Sequence, residues 1–317
     1  MKLYTILPCY NEEETLKISP IKVLEEYDRL KESGRIDEDS RILFVDDGSK
    51  DSTWDIIRHL HDENPVYEGI RLSANRGHQT ALYAGMKYAL DKGADCMVTI
   101  DADLQQDIGA LPLFIDSFKD GNDIVYGVRK SRKTDGWFKR MSATMYYGLM
   151  KLMGCNTIKN SADYRLMSAK AVASLCEYKE SNLFIRGLVP EVGYKSDTVY
   201  FDVKERQEGR SKYSVNKMLL LAFDGITSLT IRPIRLITIC GFITFIVSVV
   251  MMIITLSDHL RGVTVPGWTT LTISIWLLGG IQLLSLGILG EYIGRTYMES
   301  KNRPRYFISE TTDEVSS

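Results

Sequence analysis

Cysteine is sparse and unpatterned in this chain of 317 residues. Its five cysteines, Cys9, Cys96, Cys155, Cys176 and Cys240, include no Cys-x-x-Cys pair. An odd, scattered set argues against a disulfide framework and a thiolate zinc site; small buried hydrophobes in a reducing compartment are expected instead. Excess charge of one sign is also lacking, with 39 Lys and Arg against 41 Asp and Glu. Without a broad basic field, no nucleic-acid partner is expected. No secretory leader is expected either. Lys2–Pro8 is short and gives way at once to Asn11, Glu12, Glu13 and Glu14, so the N-terminal domain is expected to stay where it is made.

Long apolar runs are absent from the first two thirds and present in the last. Two of them, Ile234–Leu256 and Leu271–Ile293, each run about 23 residues, and about 20 suffice to cross a hydrocarbon core. Lys212, Lys217, Arg232 and Arg235 precede the first; Arg295, Lys301, Arg303 and Arg305 follow the second. The connection from Asp258 to Thr270 carries only Arg261 and His259 as basic residues. The positive-inside rule then predicts a multi-pass protein of the cytoplasmic (inner) membrane, with both termini and the N-terminal domain in the cytoplasm. Buried core helices of a soluble protein are the alternative. Gly279-Gly280, Ser285 and Gly287 point to a close helix contact, within the chain or in a homo-oligomer.

Upstream, short β-branched runs alternate with longer periodic ones, as in an open α/β sheet. Strands are predicted at Leu3–Leu7, Arg41–Val45, Gly69–Leu72, Met97–Ile100 and Asp123–Val128. Helices are predicted over Ile21–Glu32 with Pro20 at its start, Thr53–Asp62 with Ser52 as N-cap, and Thr80–Leu90. Tyr10-Asn11-Glu12, Asp46-Asp47, Asp101/Asp103 and Arg129 all stand directly after strands. Ligands of open α/β sheets bind at that carboxyl edge, so these groups should converge on one rim. Gly136–Gly154 and Val215–Thr230 are amphipathic; each could pack on the sheet or lie in a membrane interface. The acidic end, Glu310–Ser317, reads as disordered.

Asp101-x-Asp103 behind an apolar strand suits a hard divalent cation, Mg²⁺ or Mn²⁺, which also bridges phosphate oxygens. Asp46-Asp47-Gly48-Ser49 reads either as a turn or as a carboxylate set for a ribose or base. Such carboxylates on a bilayer-tethered domain suggest chemistry that joins a charged, water-soluble substrate to a lipid.

Five motifs occur in order: Pro8-x-Tyr10-Asn11-Glu12, Val45-Asp46-Asp47-Gly48-Ser49, Asn75-Arg76-Gly77-His78, Asp101-Ala102-Asp103-Leu104-Gln105 and Asp163-Tyr164-Arg165-Leu166. Together they resemble the inverting GT-A glycosyltransferases of family 2, in the subgroup that makes polyprenyl-phosphate sugars (bactoprenol glucosyltransferases and dolichol-phosphate mannosyltransferases). Leu278-Gly279-Gly280-Ile281-Gln282 and Gly290-Glu291-Tyr292-Ile293-Gly294-Arg295 resemble its two-span bacterial branch. The resemblance implies an α/β GT-A catalytic domain, Rossmann-like with a mostly parallel sheet, over residues 1–212. An amphipathic juxtamembrane helix (213–232), two transmembrane helices (233–295) and a cytoplasmic tail (296–317) would follow.

By that resemblance, Pro8, Tyr10, Glu12 and Asp47 would hold the nucleotide of the donor. Asp101, Asp103 and Gln105 would surround the metal. Arg129 and Arg140 would bind the lipid phosphate, and Arg206, Arg210, Ser211 and Lys212 would form a loop over the reacting phosphates. Asp163 stands where the family offers a catalytic base. A phosphate monoester, with its second pKa near 6, is already largely ionised at neutral pH and hardly needs one, so an orienting role stays open. One family feature is absent: an Asp or His followed by Pro usually comes after Asp-Leu-Gln, whereas Gln106-Asp107-Ile108 stands here.

The expected activity is transfer of a sugar from a nucleotide sugar, UDP-glucose first among donors, to undecaprenyl phosphate. A downstream flippase would carry the product across for envelope glycosylation. UDP-GlcNAc or a GDP-sugar is the alternative donor. A processive polysaccharide synthase lacks support, because neither further spans nor a Gln-x-x-Arg-Trp stretch is present. The reading from another class is a membrane carrier or flippase subunit with a regulatory nucleotide-binding domain.

Overall fold

The structure, a computed structural model, describes residues 1–130, 161–180, 184–202 and 267–313, with scattered positions between 234 and 261. Two compact units result. The first comprises Met1–Gly148, Asn156–Val215 and Arg303–Ser317; the second comprises Leu149–Cys155 and Asn216–Asn302.

The first unit is built on an eight-stranded sheet: β1 (Leu3–Cys9), β2 (Arg41–Asp46), β3 (Tyr67–Leu72), β4 (Cys96–Thr99), β5 (Ile124–Arg129), β6 (Ser161–Ser168), β7 (Ser196–Phe201) and β8 (Ile308–Thr311). Their order is β7-β5-β6-β4-β1-β2-β3-β8. Six strands run parallel, while β6 and β8 run against their neighbours. The mostly parallel α/β sheet of the sequence reading is thus present. Every residue of β1 is buried, as a strand covered on both faces requires.

Helices α1 (Ser19–Glu32), α2 (Thr53–Glu63), α3 (His78–Asp91), α4 (Leu111–Lys119), α5 (Ala169–Cys176) and α6 (Ile185–Glu191) belong to the same unit. Pro20 occupies the first turn of α1, where its missing N–H costs nothing. α3 lies hard against the sheet because Gly85 has no side chain; a Cβ there would come within 2.5 Å of Ile6 Cγ2. In the core Phe114 packs tilted against Tyr164 with centroids 4.4 Å apart, and Phe201 meets Tyr164 edge to face at 5.3 Å. Cys9 and Cys96 are buried free thiols, as expected.

Three expectations change. Ser52 precedes α2 but makes no capping bond. Asp51 takes that role, its Oδ1 accepting from the Thr53 N–H (3.1 Å) and hydroxyl (2.6 Å). The acidic tail, expected to be disordered, pairs as β8 through residue 311. Glu310 accepts from Trp54 Nε1 at 3.0 Å and meets Arg71 at 3.0 Å, and Thr312 is buried with its Oγ1 accepting from the Gly69 N–H at 3.0 Å. An edge strand that finds a partner satisfies backbone groups that composition alone assigns to water.

The third change concerns the C-terminal apolar segments. α7 (Trp268–Ser300) is a 33-residue helix covering the second of them, and it exposes Leu271, Ile275, Leu283, Leu286 and Ile293. Among the described residues no helix is long and apolar enough to cross a membrane, so the two-helix transmembrane region is not shown. Gly279, Gly280, Gln282, Gly287 and Glu291 interrupt the apolar character of α7. Most of Ile234–Leu256 lies outside the described residues, as do Gly136–Gly154 and Val215–Thr230.

Candidate active site

β1, β2, β4 and β5 end on one side of the sheet. Tyr10, Asp46, Asp101 and Arg129 therefore meet one rim, as the sequence predicted. β6 adds a residue from the opposite chain direction. Thr99 pairs with Arg165, and two more residues in that antiparallel register bring Asp163 opposite Asp101.

Asp163 is the hub of the site. Its Oδ1 accepts from Arg165 Nη2 (2.6 Å) and Arg186 Nε (3.0 Å), and its Oδ2 accepts from Arg186 Nη2 (2.8 Å) and Gln79 Nε2 (3.5 Å). His78 Nε2 lies 3.5 Å from the same Oδ2. Burial by itself would raise this carboxyl; Arg186, His78 and Arg165 outweigh it and hold Asp163 well below the usual carboxylate range. Arg165 is buried, whereas the Arg186 side chain is 43% exposed. The Asp163 backbone is held as well, its carbonyl accepting from Thr99 Oγ1 at 2.6 Å.

His78 connects this hub to the acidic pair. Its Nε2 is 3.6 Å from Asp101 Oδ1. Burial pulls the imidazole down, but Asp163 and Asp101 raise it on balance. Asp101 is raised, first by burial and then by Asp163 and Asp103, with His78 and Gln106 acting the other way. Gln106, buried beneath the loop, clamps Asp101 twice. Its Nε2 donates to Asp101 Oδ2 at 2.5 Å, and its Oε1 accepts the Asp101 N–H at 3.1 Å. Asp103 Oδ1 accepts the Gln105 N–H at 3.2 Å across Leu104, whose φ is +49°.

Among the described residues no set of three or more His, Cys, Asp or Glu side chains forms a metal cage. Mg²⁺-type sites commonly use only one or two carboxylates, with water and substrate phosphate completing the shell. Asp101, raised by burial and by its acidic neighbours, fits that role: a cation would relieve the same repulsion. Asp103 would be the second carboxylate.

The nucleotide-side residues divide. Pro8 is buried in β1 opposite Val45, and Tyr10 is exposed. Glu12 Oε2 accepts the Thr15 hydroxyl at 2.5 Å, and the Glu12 N–H donates to Thr53 Oγ1 at 2.9 Å. Asp46 is buried, its Oδ1 accepting the Ser49 N–H at 2.9 Å and its Oδ2 lying 3.2 Å from Arg71 Nε. Asp47 accepts the N–H groups of Arg76 (2.7 Å) and Gly77 (2.8 Å), one on each oxygen. Both carboxylates thus hold loops: Asp46 closes the turn, and Asp47 pins the segment leading into His78. A cavity of about 400 Å³ beside Asn11 is walled by Glu12, Glu13, Glu14 and Asp51 with Lys50, and this acidic lining disfavours a diphosphate.

Arg129 closes β5 at the rim. Arg140, Arg206, Arg210, Ser211 and Lys212 lie outside the described residues. Sequence reasoning missed three groups. His78 was visible as the end of a motif without a role, Gln106 only as a departure from the family pattern, and Arg186 carried no signal at all.

Residues 4–175 match the glycosyl transferase family 2 profile. The uncharacterized glycosyltransferase YkoT of Bacillus subtilis is 48% identical over 306 residues, covering 96% of this chain and 90% of that protein. The bactoprenol glucosyl transferase of Shigella phage SfV is 38% identical over 313 residues, covering 97% and 98%. A prophage bactoprenol glucosyl transferase homolog of Escherichia coli is 37% identical over 313 residues, again covering 97% and 98%.

Proposed function

The chain belongs to glycosyl transferase family 2, and on that premise we propose that it moves glucose from UDP-glucose to a polyprenyl phosphate, undecaprenyl phosphate in a bacterial cell. Family membership makes it an enzyme and removes the carrier reading. The bactoprenol glucosyl transferases named above support the acceptor and the sugar.

The observation that carries the proposal is the saturation of Asp163. An ionised carboxylate offers about four lone-pair sites, and five side-chain donor atoms surround this one. Little room is left to take a proton from an acceptor hydroxyl. An acceptor that arrives ionised needs no such step, and a phosphate monoester does so at neutral pH. Its oxygen attacks the anomeric carbon and forms the new C–O bond. The bond to the nucleoside diphosphate breaks on the far face, the electron pair leaves with the diphosphate, and the centre inverts.

A divalent cation on Asp101 and Asp103 would supply positive charge for the diphosphate oxygens. Gln106 fixes the Asp101 carboxylate for that duty, and Asp47 fixes the approach to His78. Tyr10, exposed at the end of β1, is offered to the nucleotide. Attachment to the cytoplasmic membrane belongs to the same proposal. It is supported by the apolar side chains that α7 exposes and by the flanking basic residues of the sequence, and it brings the headgroup phosphate within reach of a cytoplasmic domain.

The test is a transfer assay with purified full-length protein, undecaprenyl phosphate, Mn²⁺ or Mg²⁺ and radiolabelled UDP-glucose, UDP-GlcNAc and GDP-mannose, with Asp101→Asn beside it. Label entering the lipid phase from UDP-glucose, and lost in the variant, is the expected result. Label from another donor replaces glucose; no lipid-phase label from any donor overturns the acceptor.

A further inference from the structure

Three neighbouring strands each place one charged residue in a single row. The register pairs Asp46 of β2 with Arg71 of β3, and Arg71 with Glu310 of β8; directly paired residues present their side chains on the same face. Arg71 gives a different nitrogen to each neighbour. Its Nε lies 3.2 Å from Asp46 Oδ2, its Nη1 donates to Glu310 Oε1 at 3.0 Å, and its Nη2 donates to the Ser49 carbonyl at 3.4 Å. Asp46 Oδ2 is buried without a hydrogen-bond partner among the described residues, so the guanidinium answers it by charge. Arg71 is itself 32% exposed. A long side chain at a surface keeps its rotamer freedom unless something holds it, and Glu310 is that hold. Trp54 fixes Glu310 in turn, its Nε1 donating to Oε2 at 3.0 Å.

What Arg71 grips is the turn after β2. The Ser49 hydroxyl accepts the Asn11 N–H at 2.9 Å, and Asn11 Oδ1 accepts the Lys50 N–H at 2.9 Å, so the turn also fixes the segment that carries Tyr10. The tail reaches the next loop as well, where the Phe307 carbonyl accepts the Ser73 N–H at 2.9 Å. Gly48, with φ +68°, lies so close to that loop that a Cβ would stand 2.8 Å from the Ala74 carbonyl carbon.

We propose that Glu310 is a positioning residue for the nucleotide side of the site, acting through Arg71 on the Asp46–Ser49 turn rather than on the donor itself. This rests on the glycosyl-transfer reading above and gives the C-terminal tail a part in donor binding. The ligand class is a nucleoside diphosphate, met by Tyr10 and by the loops that the turn braces. Solvent screens the partly exposed Arg71–Glu310 pair, so its loss weakens donor binding without abolishing transfer.

The test compares Glu310→Gln, Arg71→Lys, their double variant and Thr312→Val in the full-length protein. Steady-state kinetics, calorimetric binding of UDP with Mn²⁺ and hydrogen exchange of the unliganded protein are the readouts. Glu310→Gln keeps an acceptor for Trp54 and takes the charge from Arg71. Thr312→Val loosens the same tail at Gly69 and leaves the charged row intact. Glu310→Gln should raise the donor KM and the UDP Kd about fivefold, the upper end for a partly exposed ion pair, with the acceptor KM unchanged. The Ser49 and Lys50 amides should exchange faster in it. Arg71→Lys, which keeps a charge near Asp46 but loses the fork to Ser49 and Glu310, should act in the same direction. The double variant should be no worse than the poorer single one, because Glu310 acts through Arg71. Thr312→Val should lower the melting temperature and leave the donor KM at the parent's value. A parental donor KM and UDP Kd in Glu310→Gln overturn the proposal, as do losses that multiply in the double variant. An equal rise in donor KM for Thr312→Val also overturns it, since the tail would then act through stability alone. Should Glu310→Gln fail to fold by circular dichroism, Arg71→Lys against Thr312→Val makes the same comparison, and a parental donor KM in Arg71→Lys overturns the proposal. Absence of lipid-phase label in the parent, with UDP binding still weakened by Glu310→Gln, would sink the acceptor reading and leave the role of Glu310 standing.

Discussion

Replacing Gln106 with Leu removes two contacts to Asp101 while keeping a buried side chain of similar length. The lost bonds are Nε2–H to the Asp101 carboxylate at 2.5 Å and the Asp101 N–H to Oε1 at 3.1 Å. A hydrogen bond to a charged group contributes about 1.5–3 kcal/mol. At about 1.4 kcal/mol per factor of ten, an Asp101 freed to rotate should bind its cation roughly ten- to a hundredfold more weakly, the range typical of residues that orient metal ligands. Gln106→Glu should be worse, because it sets a third carboxylate against Asp101 and Asp103. Mn²⁺ titration followed by electron paramagnetic resonance measures the affinity directly, and the Mn²⁺ dependence of lipid-linked product measures it through turnover. High Mn²⁺ should rescue much of the activity of Gln106→Leu. Unchanged Mn²⁺ affinity in a folded variant would refute the reasoning, since Asp101 would then be held by something other than Gln106.

Arg165→Met should destabilise the fold by about 3 kcal/mol, measured by urea unfolding, because it strips a buried charge pair of one partner and leaves Asp163 to Arg186 and His78. Thr312→Val, isosteric at a buried position, leaves the Gly69 N–H without its acceptor and should cost about 1–3 kcal/mol; Thr312→Ser should recover most of it. Burial raises Tyr67 and Tyr126 to about 12. The unfolded chain loses these protons near pH 10 and the folded chain near pH 12, so their contribution is complete below pH 10 and lost as pH rises through 12. Each is worth ~3 kcal/mol. The part of the 295 nm tyrosinate absorbance that Tyr67→Phe and Tyr126→Phe remove should appear together with alkaline unfolding, and its appearance near pH 10 in the folded protein would count against their burial.

Local pattern was enough for the first layer of this protein. Alternating apolar runs placed the first five strands and three helices, because the backbone periods of 2.0 and 3.6 are written residue by residue. Since polar residues stood directly behind those strands, the rim and its acidic pair were legible as well. The motifs that carry the family resemblance lie on that rim. What the pattern could not supply was pairing between distant segments. Asp163 faces Asp101 only because β6 inserts antiparallel between β4 and β5, and nothing near residue 163 encodes that register. Gln106 looked like a lost family feature until its buried amide met Asp101. Nothing near Asp47 told that each of its oxygens accepts a backbone N–H, from Arg76 and from Gly77. The acidic tail, polar enough to read as disordered, becomes an edge strand because Arg71 and Trp54 on the folded sheet receive Glu310. Composition and periodicity report what a segment can do alone, so the sequence by itself determined the α/β class and the residues offered at the strand ends. Which of those residues touch was decided only by the tertiary structure, where sheet order joins segments tens to hundreds of residues apart and burial makes each polar group find a partner.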